Sequence, residues 1–148
     1  MKPDVPAVLS DLVARIAGEI APHVQPAYLA GSLGMAAALI AMATEEWDNA
    51  AQWRVEENAA LRVLFAEAGG LGLTADLGQR LARLAASRDA DVRVSTLDAA
   101  NDELRGALIE LHAAVERLDG AEARRIEGAI WAELAASTER RRRASGNI

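Results

Sequence analysis

Residues 26–70 read PAYLAGSLGMAAALIAMATEEWDNAAQWRVEENAALRVLFAEAGG. No proline interrupts the run after Pro26, and Gly69-Gly70 supplies a stop, so the pattern predicts one helix from about Pro26 to Ala68. At about 1.5 Å per residue, some 40 residues span roughly 60 Å. That is long for this chain, so a bend near Thr44–Asp48, or projection beyond neighbouring helices, is expected.

The same stretch has two apolar sides. On a helical wheel, Leu33, Ala36, Ile40, Ala43, Trp47, Ala51, Leu61 and Phe65 share one face. Met35, Leu39, Met42, Trp53, Ala60 and Leu64 share a nearly opposite one, broken by Glu46 and Asn49. A helix apolar on both sides is either central to its own bundle or gives one side to a partner. The partner reading makes Met35, Leu39, Met42, Trp53 and Leu64 the interface of a homodimer, the commonest assembly. The charge-free run Tyr28–Ala43 is shorter than the roughly 20 residues of a membrane span, which points to a buried central helix and no membrane.

Composition agrees with helices. Roughly a quarter of the chain is alanine, the best helix former, and only 3% is aromatic. The 148 residues suit one domain with a real core, expected over 1–143 with a disordered tail at 144–148. The formal charge of −6 argues against nucleic-acid binding, which needs a basic face. There is no cysteine, and the start Met1-Lys2-Pro3-Asp4 lacks a basic region followed by an apolar one. A cytoplasmic location is expected. The near-exclusive use of arginine over lysine suggests a GC-rich, bacterial genome.

Four more helices are predicted. The first covers Val5–Ile20, capped by Asp4, with Val5, Leu9, Leu12, Ile16 and Ile20 in one stripe, and stops at Pro22. The third covers Thr74–Ser87 and the fourth Thr96–Leu118, the latter opened by a capping box of Ser95 and Asp98. The fifth covers Ala121–Arg142, capped by Asp119. The architecture expected is an all-α, single-domain bundle of about five helices around a long alanine-rich second helix. Small residues at Ala30, Gly34 and Ala38 predict close helix packing there.

Polar residues intrude where apolar ones are expected. Arg54, Asn58 and Arg62 fall in or beside the second helix's first stripe, flanked by Glu57. Asn101, Arg105 and His112 border the stripe of the fourth helix, and Glu127 lies on the apolar side of the fifth as a partner for these arginines. Buried polar groups need partners, so these residues form either a network that fixes helix register or a pocket for an anionic or carbonyl ligand. Antiparallel packing of the second and fourth helices would bring the two Asn/Arg pairs together. In the pocket reading His112 acts as acid or base.

Other chemistry is excluded. Ile109, three residues before His112, breaks the Glu-x-x-His spacing of di-iron bundles. Glu45, Glu46, Asp48, Glu56 and Glu57 are spread around their helix rather than gathered on one face, so no metal or cofactor is expected. Gly69–Gly72 lacks the Lys and Ser/Thr of a phosphate loop, and no serine sits in a nucleophile elbow. The Arg140–Arg143 run is expected to be solvated. The function read from these residues is a non-catalytic, self-associating binding or accessory module. The alternative is a small enzyme or ligand-binding protein with an interhelical pocket.

Overall fold

The computed structural model describes residues 4–142; the expected tail at 144–148, Arg143 and Met1–Pro3 lie outside them. The fold is all-α, with five helices and no strand among the described residues. Helix α1 (Val5–Ala14) continues as a π-helical segment (Arg15–Ile20) and a 3₁₀ turn (Ala21–His23). Then come α2 (Ala27–Glu67), a 3₁₀ turn (Ala68–Gly70), α3 (Ala75–Ala85), α4 (Val94–Val115) and α5 (Ala121–Arg140).

Helix α2 is one unbroken element of 41 residues. The helix assignment runs unbroken through Thr44–Asp48, where a bend was expected, and the polar groups there bond back along their own helix. Thr44 Oγ1 donates to the Ile40 carbonyl at 2.8 Å and Asn49 Nδ2 to the Glu45 carbonyl at 2.9 Å.

Caps differ from the expected ones in three places. Asp4 holds the N-cap position of α1 without a side-chain cap bond. Helix α4 begins at Val94, one residue before Ser95, so the Ser95/Asp98 box is inside the helix and Asp98 turns to Arg54. Helix α5 is opened by Gly120 at φ 115°, not by Asp119. That backbone angle favours glycine. Helix α3 has a side-chain cap bond, from Leu77 N to Thr74 Oγ1 at 3.4 Å.

The described residues fall into two compact units, one up to Ala50 and one from Ala51 to Arg141, with Arg142 grouped with the first. The second unit holds the core. Leu61, Leu64 and Phe65 from α2 and Ala68 from the turn after it meet Leu81 and Leu84 of α3, Leu104, Ala107, Leu108, Leu111 and Val115 of α4, and Ala123, Ile126 and Ile130 of α5. Phe65, Ile126 and Ile130 are at most 1% exposed. Each such side chain contributes about 1.5–3 kcal/mol through removal from water.

The first unit is different. Ala37 and Ala50 are its only buried residues among those described. Helix α1 lies against α2 across a groove of about 340 Å³, lined by Pro6, Ser10, Val13, Ala41 and Thr44 with Glu45, Asp48 and Asn49. Val8, Leu12 and Ile20 are exposed.

The expectation of a buried central helix therefore fails over the first half of α2. Its most apolar 18-residue window has a mean hydropathy of 1.6 and only 6% of it is buried. Trp47, placed on the core side by the wheel, is 64% exposed. Gly34 is exposed too, and a Cβ added there would meet nothing within 4 Å, so no close packing within the chain explains it. The wheel marked the apolar residues, but the exposed ones run along the border of its two faces, with Met35 and Leu39 on the same side as Ala43 and Trp47, and it supplied no element to cover them.

Candidate functional site

Spacing of three and four residues places Arg54, Glu57, Asn58 and Arg62 together along α2, and Asp98, Asn101 and Arg105 together along α4. The structure joins the two rows. Arg54 Nε donates to Asp98 Oδ1 at 2.5 Å, Asn101 Nδ2 to Asn58 Oδ1 at 2.9 Å, and Arg105 to Glu57. From Arg54–Asp98 to Asn58–Asn101 the residue numbers advance together, so α2 and α4 run parallel here. The two Asn/Arg pairs approach one another without the antiparallel arrangement expected.

Asn58 is fully buried and fully used. Its Nδ2 donates to Asp89 Oδ1 at 3.0 Å and to the Leu97 carbonyl at 3.3 Å, while its Oδ1 accepts from Asn101. Asp89 lies in the connection between α3 and α4. Arg62 grips it through NH2 to Oδ1 at 2.6 Å and NH1 to Oδ2 at 3.3 Å, and reaches Ser87 Oγ at 3.1 Å. Hydrogen bonding from Arg62, helped by Asn58, holds the Asp89 carboxyl below its ordinary range against the opposing effect of burial.

Glu57 is 2% exposed and sits between two arginines. Arg105 binds one carboxylate oxygen and Arg141 NH2 the other at 2.5 Å. Burial pushes this carboxyl up, but the charges of Arg105 and Arg141, with hydrogen bonds from Arg141 and Asn101, leave it below its ordinary value. Glu133 of α5 receives two bonds from Arg140, at 2.7 and 2.8 Å. Burial raises its carboxyl, and nearby Glu57 adds to this against the pull of Arg140.

Two expectations need correction here. Glu127 is half-buried on α5 and makes no hydrogen bond or ion pair with Arg54, Arg62 or Arg105. Those arginines are taken by Asp98, Asp89 and Glu57. The Arg140–Arg142 stretch is not simply a solvated turn, since Arg140 and Arg141 close ion pairs on Glu133 and Glu57.

His112 makes no hydrogen bond or ion pair with the network residues. Its ring meets Trp131 edge-on, with centroids 5.2 Å apart and planes at 87°. Its Nε2 is 3.7 Å from Glu116 Oε1 and has no hydrogen-bond partner among the described residues.

Of the residues expected in a pocket, Arg62 lines a shallow surface cleft of about 490 Å³ with Val55, Ala59, Ser87, Arg88, Asp89, Asp91 and Val92. A more enclosed cavity of about 350 Å³, at the junction of α2 and α3, is lined by Phe65, Leu71, Leu73, Gly78 and Leu81 among others and includes none of the expected site residues. Of the expected interface residues, Met35 and Leu39 are 64% and 58% exposed, and Met42 and Trp53 are half-buried. Leu64 is in the core and is withdrawn from that surface. No protein-family model matches the chain, and no curated protein or solved structure matches it.

Proposed function

We propose that the protein is a binding or accessory module that associates with itself through the first unit, with the second unit as its rigid body. One observation carries this reading. Tyr28, Ser32, Met35, Leu39, Ala43 and Trp47, spaced by four, three, four, four and four residues, are all exposed on α2. That spacing is the seam by which one helix packs on another. The polar residues of the second unit support the same reading, because their guanidinium and amide groups are already joined to carboxylates and amides within the chain. Light scattering during size-exclusion chromatography tests it: a dimer mass at micromolar concentration is expected, and a mass of 15.7 kDa throughout overturns it.

A second reading has its own observation. The apolar part of α2 is long and apolar enough, by length and composition, to cross a membrane. Flotation with phosphatidylcholine vesicles separates the two: a self-associating module stays in the protein fraction.

A further inference from the structure

The seam on α2 has a symmetry that points to its occupant and its direction. Read forwards, its residues are Tyr28, Ser32, Met35, Leu39, Ala43 and Trp47; read backwards, large again meets large and small meets small. We infer that a second copy of this chain docks on this seam antiparallel, so that Tyr28 meets Trp47, Ser32 meets Ala43 and Met35 meets Leu39 about a two-fold axis near Ala37. This rests on the self-association proposed above and adds the surface and orientation.

Charge decides the direction. The stretch from Ala27 to Thr44 carries no charged side chain. Of the carboxylates that follow, Glu46 falls on the seam's side of α2, seven residues after Leu39, while Glu45 and Asp48 line the groove against α1. A parallel pair would set Glu46 beside its own copy. An antiparallel pair sets it beside the first turn of the partner's α2, the positive end of that helix dipole. A bilayer with anionic headgroups would meet the same acidic group unfavourably.

Area is consistent with a modest dimer. Tyr28, Met35, Leu39 and Trp47 are 71%, 64%, 58% and 64% exposed. From typical side-chain areas they offer roughly 400 Å² per copy. That is about half of what a standard interface buries on each partner. Micromolar association is the corresponding expectation.

The absence of cysteine makes the test direct. Tyr28→Cys and Trp47→Cys variants, one carrying a mass tag, are treated with a short bismaleimide singly and as a mixture, and each is sized by sedimentation. The expected result is a cross-linked heterodimer in the mixture, little product from either variant alone, and loss of the product on adding Leu39→Asp to both. Homodimer from Tyr28→Cys alone overturns the antiparallel seam while leaving self-association intact. A sedimenting dimer with no cross-link places the interface elsewhere and overturns the seam. Monomers that neither cross-link nor float with phosphatidylcholine vesicles overturn both proposals. Monomers that float assign the face to a bilayer, with the same consequence.

Discussion

Replacing Asn58 by leucine tests whether the buried polar row holds the second unit together. Asn58 has no exposed surface and makes three hydrogen bonds, to Asp89, the Leu97 carbonyl and Asn101. Leucine has the same branched shape, so no cavity forms, but its two methyls are bulkier than the amide atoms and overpack the site at about 1–3 kcal/mol. The Asn101 amide loses its partner out of reach of water, at about 1–3 kcal/mol, while the Leu97 carbonyl keeps its bond within α4. Asp89 keeps Arg62. The added apolar burial returns about 1–2 kcal/mol. The net loss is about 3 kcal/mol, or roughly 6–12 °C in melting temperature for a chain of this size. Urea unfolding followed by circular dichroism measures it. A loss under about 0.5 kcal/mol refutes the reasoning. The double variant Asn58→Leu/Asn101→Leu should cost less than the two single changes summed, because each removes the other's orphan.

Other outcomes follow from the same structure. Glu57 and Asp89 both have folded pKa values below their unfolded ones, so their stabilisation is present above the ordinary values of 4.5 and 3.8 and is lost as pH falls through the lower folded values. Glu133, shifted upward, contributes the opposite slope, losing stability as pH rises through 4.5 toward its folded value. Glu57→Gln should therefore flatten the acid limb of a stability-against-pH curve, and an unchanged limb counts against its role. Gly120→Ala forces an alanine to φ 115° and should cost about 1–2 kcal/mol in urea unfolding. Phe65→Ala should cost about 3–5 kcal/mol by the same assay, since the ring is 1% exposed in the core.

The helices were legible because their signals are local. Alanine content, periodic leucines and the Gly69-Gly70 stop lie within a few turns of what they determine, and the five helices match their expected positions to within a few residues. The rows Arg54–Arg62 and Asn101–Arg105 were also legible, because three- and four-residue spacing puts side chains on one face. Their partners were not. Asp89 sits in an aperiodic connection and Arg141 within a run of arginines, so no pattern marked either before the chain had folded. Glu127 looked equivalent to them on its wheel but faces no arginine of the set. For α2, the wheel found its apolar faces, yet nothing local records whether another element of the chain covers them. Leu64 is covered and Met35 is not.

Sedimentation equilibrium of the wild type, Leu39→Asp and Ile109→Asp at micromolar concentration tests the central claim most directly. Leu39, 58% exposed, lies on the seam, and Ile109, 71% exposed on α4, is an apolar control in the second unit. Self-association through the seam predicts twice the 15.7 kDa chain mass for the wild type and Ile109→Asp, and the single mass for Leu39→Asp. A monomeric wild type, or a Leu39→Asp variant that remains dimeric, contradicts it.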